Sequence, residues 1–188
     1  MDVEMDGSFP QLKKHGRLHA LRRISPLGLI KYEMLRVEGD KTVISQVINR
    51  YLKAEADAQK DPSTALAVTP RNYKFKYKRM DRQDGREVHV YQVTPRQKRE
   101  GLFKGELWID AQTYLKVQES GYLVKSPSIA VKKVAFVRTY EIRDGISVPK
   151  QILSIVDTRL VGKAELTIDF TNFSIDPARR AIAEDANQ

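Results

Sequence analysis

The sequence predicts a mainly β domain with one or two helices. Its core is a strongly curved antiparallel sheet, a half β-barrel of about nine to eleven strands covered by a helical lid. Three observations lead there. From Tyr73 onward seven strand-like segments follow one another through short connections, which is a meander and not a βαβ pattern. A single stretch, Val43, Val47 with Ile48, and Tyr51 with Leu52, recurs at helical spacing. Three segments between residues 126 and 173 read as long strands, and one of about 13 residues would span about 43 Å and has to curl.

Taken in order, Val3 to Met5 reads as a short strand before a turn around Gly7 and Pro10. Arg17 to Ile24 and Leu29 to Val37 alternate around Pro26 and Gly28, which reads as a hairpin. Asp40 or Thr42 is placed to cap the helix, which runs to about Ala58. The stretch from Asp61 to Pro70 is too apolar for a simple linker and reads as a loop crossing a surface. Tyr73, Phe75 and Tyr77 then alternate with Lys74, Lys76 and Lys78, and Asp84-Gly85 supplies a hairpin turn into Val88 to Val93.

A basic turn from Pro95 to Glu100 leads to the strand LFKGELWID, residues 102 to 110. Ala111-Gln112-Thr113 joins it to a further strand from Tyr114 to Leu123. The segment from Ser126 to Phe173 supplies three more, separated by Arg143-Asp144-Gly145 and Val161-Gly162-Lys163. In the last of them Leu166, Ile168 and Phe170 alternate with Glu165, Thr167, Asp169 and Thr171, the pattern of a half-buried strand. Residues 1 to 176 suit one domain, and 177 to 188 form a polar, Ala-rich tail.

The composition narrows the function classes. Hydrophobic residues make up 41% and charged residues 30%, and no apolar run approaches the 18 or so residues that span a bilayer. Net charge is +9, which suits an anionic partner: nucleic acid, a phospholipid surface or an acidic protein. Cysteine is absent, which removes disulfides, a thiolate nucleophile and cysteine-based metal sites. The first 25 residues hold no apolar stretch of signal-peptide length, which leaves a cytosolic protein or a mature form.

The motif KKHGRLHALRR, residues 13 to 23, lacks the interleaved aromatics that stack bases, so nucleic acid is not expected as a partner. A strand face near an anionic membrane and ordinary surface charge both remain. His15 and His19 have no acidic residue at ligand spacing and His89 stands alone in a strand, so no metal is expected. No GxSxG motif, catalytic triad or glycine-rich phosphate loop occurs, so no catalytic residue and no cofactor is expected.

The run LFKGELWID, the segment SPSIAVKKVAFVRTYEIRDGISVP at 126 to 149, the closing AELTIDF at 164 to 170 and the helix ending VINRYLKAE at 47 to 55 together resemble the outer-membrane lipoprotein-sorting superfamily. The resemblance covers roughly residues 17 to 175 and contains no catalytic signature. It implies an incurved half-barrel whose apolar concave side is covered by helices, in periplasmic proteins that carry or receive lipoprotein acyl chains. Relatives of that fold also sense envelope lipids, and one pigment-pathway enzyme uses it. The outer-membrane receptors of the group are anchored through an acylated N-terminal cysteine, so the absence of cysteine here points to a soluble carrier or sensor.

On this reading the function is non-catalytic binding of acyl chains or another hydrophobic ligand in the periplasm. The alternatives are a sensor or protein-interaction domain of the same fold with a filled cavity, and an enzyme using the cavity. Burying about 15 methylenes would gain at most roughly 12 kcal/mol, so a dry groove suffices. The candidate lining is Tyr73, Phe75, Tyr77, Trp108, Val134, Phe136, Tyr140, Leu166, Ile168 and Phe170. Val47, Ile48, Tyr51 and Leu52 form the lid. Each could equally pack into a filled core. Arg138 falls between Phe136 and Tyr140 on the apolar face, where it is expected to touch an anionic headgroup or tie down the lid, or else to pair with a glutamate across the strands or lie near the sheet rim. The partners expected are acyl chains or other lipids and an anionic membrane surface, with the oligomeric state open.

Overall fold

The computed structural model describes residues 1–25, 29–58 and 66–175. The Pro26 to Gly28 turn, the first half of the 61–70 loop and the C-terminal tail lie outside the described residues. Ten strands form one antiparallel sheet: β1 (Asp2–Phe9), β2 (Lys14–Ile24), β3 (Ile30–Gly39), β4 (Tyr73–Gln83), β5 (Arg86–Pro95), β6 (Phe103–Asp110), β7 (Lys116–Leu123), β8 (Val131–Arg143), β9 (Ile146–Thr158) and β10 (Lys163–Thr171). Their spatial order is β3-β2-β1-β10-β9-β8-β7-β6-β5-β4. The seven strands from β4 are neighbours in chain order. The chain then closes back on itself through the β10–β1 pair, which joins both ends of the sequence at the middle of the sheet. The sheet stays open, with β3 and β4 at its edges.

The short strand expected at Val3 to Met5 is in fact eight residues long and sits between β2 and β10. Its alternating Val3, Met5, Gly7 and Phe9 are buried, and Gly7 extends the buried stripe without showing as hydrophobic in the sequence. The Asp84-Gly85 and Asp144-Gly145 turns have positive φ at both residues, as two-residue hairpins with right-handed strand twist require. Pro149 lies in β9 without breaking the sheet. The β10 pairing ends at Gln151, so Pro149 faces no donor-demanding neighbour on that side.

One helical segment crosses the sheet: α1 (Lys41–Val43), a π-helical stretch (Ile44–Ile48) and α2 (Asn49–Ala58). Asp40 caps it, its Oδ1 accepting from the backbone N–H of Thr42 at 2.8 Å and Val43 at 3.2 Å. The segment lies on the half of the sheet built from β1, β2 and β10. There Val43, Val47 and Ile48 join Val3, Met5, Phe9, Leu18, Ile168 and neighbours in the main apolar cluster. Gly7 and Gly16 are opposite each other in register. A Cβ at either would lie 3.0 Å from Val43 or 2.9 Å from Ile44, so the absent side chains are the space the helix fills.

A second apolar cluster, Tyr73, Val93, Leu102, Phe103, Leu107 and Phe136, sits on the other half of the sheet under Leu66 and Val68. Here too a glycine pair is opposed, Gly105 and Gly121. A Cβ on Gly105 would run into the Ser120 carbonyl oxygen, and Gly121 has φ of 152°. The two strands approach more closely than side chains allow, and the Phe103 and Phe136 rings from β6 and β8 meet at 5.1 Å, edge to face.

Candidate functional site

Register connects one face of the sheet from edge to edge. Leu166 of β10 pairs with Ser154, Ser154 with Phe136, Phe136 with Gly121, Gly121 with Gly105, Gly105 with Val93, and Val93 with Phe75. The parallel row runs from Ile168 through Ile152, Arg138, Glu119, Leu107 and Tyr91 to Tyr77. Alternation keeps both rows on the face that carries the helix.

This face therefore gathers Tyr73, Phe75, Tyr77, Val134, Phe136, Arg138, Tyr140, Leu166, Ile168 and Phe170. Val47, Ile48, Tyr51 and Leu52 of the helical segment pack against its β1–β10 end. Trp108 is elsewhere. Its register partners are Val90 and Gln118, which places it on the opposite face, where Nε1 donates to Glu106 at 3.1 Å and the Arg79 guanidinium lies 5.4 Å from its ring. Leu107, one residue earlier, takes the helix-side position.

The gathered residues divide into two groups. Tyr73, Phe136, Leu166, Ile168 and Phe170 are buried. Phe75 and Tyr77 on the β4 edge are 37% and 50% exposed, as is Met80 at 51%. Together with Tyr91, whose ring lies 5.6 Å from that of Tyr77, they form an aromatic strip on the part of the face away from the helix. His89 belongs to the same strip, 6.0 Å from Tyr77, and its Nδ1 is buried with no hydrogen-bond partner.

Two charged clusters flank the middle of the face. Arg22, buried on β2, bonds Glu55 Oε1 of α2 at 3.2 Å, and Tyr32 of β3 donates to Glu55 Oε2 at 2.5 Å. This clasp ties the C-terminal turns of the helical segment to two strands. Burial, with Glu55 beside it, holds the Tyr32 hydroxyl far above the ordinary tyrosine range.

The second cluster centres on Glu119, buried on β7. Lys116 donates to its Oε1 at 2.8 Å, Tyr140 to its Oε2 at 3.0 Å, and Arg138 lies 3.7 Å from the same oxygen. Arg138 thus faces a glutamate directly across the strands, one of the arrangements expected for it. Its guanidinium also lies 4.6 Å from the Phe136 ring, and its Nε is buried without a partner. Burial works to lower the Lys116 pKa, but Glu119 and Tyr140 outweigh it and the net shift is upward. Burial, then Glu119, raises that of Tyr140. Two cations around one carboxylate leave the cluster net positive.

Tyr51 of the helical segment packs against the apolar cluster, and burial, then Glu55, raises its pKa.

Sequence reading missed Arg22, Glu55, Tyr32, Lys116 and Glu119. A signal existed for one of them: Glu119 alternates with Gly121 in a strand, a charged residue at a position of buried parity, although Val117 lies past a bulge and packs with Val88 and Val90 on the opposite face. Chemically the face offers apolar and aromatic surface with a cation at its centre. Among the described residues no group of three or more His, Asp or Glu side chains is placed to hold a metal. No helix among them is long and apolar enough to cross a membrane.

No protein-family model matches the chain, and no curated protein matches it. Among solved structures it is similar to a LolA superfamily protein from Nitrosomonas europaea, at 11% identity over 95% of this chain and 86% of that one, with a TM-score of 0.38. It is also similar to a domain from Vibrio parahaemolyticus described as outer membrane lipoprotein-sorting, at 11% identity over 94% and 86% of the two chains, TM-score 0.41. A third is the Pseudomonas aeruginosa MucA/MucB complex structure, at 14% identity over 89% and 86%, TM-score 0.26. No residue's role is carried over from these structures.

Proposed function

We propose that this protein is a non-catalytic envelope protein of the periplasm that binds the acyl chains of lipoproteins or another lipid. The observation that carries the reading is the strip of Phe75, Tyr77 and Met80, left exposed beside half-buried Tyr91 on the same face whose other half is closed by the helical segment. An acyl chain laid along this strip toward Leu107 would remove about 0.8 kcal/mol of methylene hydration per buried CH₂. Arg138 at its inner end would meet an anionic or ester headgroup, with Glu119 and Lys116 fixing its position. No proton transfer is required of any of these groups.

A second reading is favoured by a specific observation. Val43 and Ile48 of the helical segment and Met5 and Leu18 of the strands beneath it have no exposed surface, so the face there is filled. A sensor or protein-interaction domain of the same fold would have this character. Native mass spectrometry of the protein from an envelope fraction, with uptake of a fluorescent fatty acid, separates the two. The carrier reading expects co-purifying lipid, and uptake about tenfold weaker in a Phe75→Ser, Tyr77→Ser double variant. Absence of lipid together with absence of uptake would sink it.

A further inference from the structure

In an antiparallel meander the connections alternate between two ends of the sheet. The β1–β2, β5–β6, β7–β8 and β9–β10 connections fall at one end, and the β4–β5, β6–β7 and β8–β9 turns at the other. The first end carries two of the most exposed large apolar side chains in the chain: Ile129 at 91% in the β7–β8 connection and Leu160 at 89% in the β9–β10 connection. The two connections are tied together. Arg159 N donates to Ala130 O at 2.9 Å and its Nε to Ile129 O at 2.8 Å, so Ile129 and Leu160 stand on one braced tip.

Val161 and, from the β1–β2 connection, Leu12 at 47% add to the apolar surface. The β1–β2 connection touches the same tip, since a side chain at Gly162 would collide with Gln11. Around the tip are exposed Lys13, Lys98, Lys125, Lys132, Arg159 and Lys163. Glu100 is the acidic residue in these four connections, and nearby Asp40 is engaged by Lys14 at 3.2 Å. The turns at the opposite end carry Asp84 and Asp144, and the adjoining strand-end Arg86 and Arg143 are paired with Asp110 and Glu141.

Isolated apolar side chains held out on a rigid tip inside a ring of cations fit one kind of surface. A bilayer takes the apolar groups below its headgroups, and its anionic lipids meet the cations. An acidic protein would satisfy the charges but offers no reason for side chains standing out singly and almost fully exposed. We infer that this end of the sheet docks on a bilayer containing anionic phospholipid, with Ile129 and Leu160 inserted and Lys125, Lys132 and Arg159 at the headgroups. The inference goes beyond the ligand reading and does not depend on it.

The test uses the full chain with vesicles of phosphatidylcholine containing about one third phosphatidylglycerol, against vesicles of phosphatidylcholine alone. The expected result is co-sedimentation with the anionic vesicles, weakened by salt. An Ile129→Asp, Leu160→Asp double variant should bind about a hundredfold less tightly, roughly tenfold per inserted side chain, and Lys125→Glu with Lys132→Glu about tenfold less. These positions are exposed, so thermal melting should not change. The chain has no cysteine, so an environment-sensitive dye on Ile129→Cys should shift to the blue on vesicle addition while one on Ile146→Cys, at the opposite end, should not. Failure of the native chain to sediment with anionic vesicles would overturn the inference. So would undiminished binding by the aspartate variant, equal shifts at both dye positions, or loss of vesicle binding in the Phe75→Ser, Tyr77→Ser variant, which would assign the membrane contact to the aromatic strip.

Discussion

The two halves of the helix-bearing face are built from the same parts and put to different use. Each has a glycine pair opposed across neighbouring strands, Gly7 with Gly16 and Gly105 with Gly121. Each has a buried charged cluster, Arg22 with Glu55 and Glu119 with Lys116. In the first half the glycines admit a helix, and the cluster fastens that helix to the strands. In the second the glycines let two strands close on each other so that the sheet bends, and the cluster stays within the sheet. One half is therefore finished as a core, and the other keeps Phe75 and Tyr77 at the surface. A missing side chain is a space, and what enters it depends on which partner arrives from elsewhere in the chain.

The contrast can be broken at its most rigid point. Gly105→Ala meets backbone with no freedom to yield, and a loss of about 3 kcal/mol or more is expected in denaturant unfolding. Gly16→Ala meets the flexible tip of Ile44, so a smaller loss of about 1 to 2 kcal/mol is expected. Equal losses would show that the two glycine pairs do the same job. Between these lies Glu119→Gln, which leaves Lys116 and Arg138 without their carboxylate. A loss of about 2 to 3 kcal/mol is expected by the same measurement.

The clasp on the helical segment answers to pH. Tyr32 has its folded pKa raised above the ordinary 10.0, so its contribution is complete below about pH 10 and is lost as pH rises beyond that, because only the unfolded chain ionises there. Stability followed by denaturant between pH 8 and 11 should fall less steeply in Tyr32→Phe, by up to about 1.4 kcal/mol per pH unit. An unchanged slope would mean that burial and Glu55 together do not hold the proton on Tyr32. The smallest stability effect is expected on the open half. Phe75→Ser and Tyr77→Ser should each shift the unfolding midpoint by no more than an exposed substitution does, about 0.5 kcal/mol, while reducing fatty-acid uptake. A large destabilisation would place those rings in the core.

Much of this was legible in the chain. Asp84-Gly85 and Asp144-Gly145 mark hairpins wherever they fall, because positive φ at two successive positions excludes most other residues. Asp40 was recognisable as a cap, and Leu166, Ile168 and Phe170 as a buried stripe. The strand at Val3 was underestimated because Gly7 and Ser8 hide its second half; only the helix above Gly7 makes that position a buried one. Trp108 was expected in the lining with Val134, Phe136 and Tyr140, whereas its pairing with Val90 and Gln118 sends it to the other face. The β-bulges after Tyr77 and Trp108 change that parity locally and leave no mark in the sequence.

The sequence by itself determined the elements, since alternation, turn residues and helical spacing are properties of neighbours along the chain. It also determined the charge and the absence of cysteine, which bound the partners. Tertiary structure alone decided which glycine pair admits a helix, that Arg138 meets Glu119, and that Ile129 and Leu160 share a tip. Those are relations between residues far apart in sequence. Register and sheet curvature set them, and neither is carried by a local pattern.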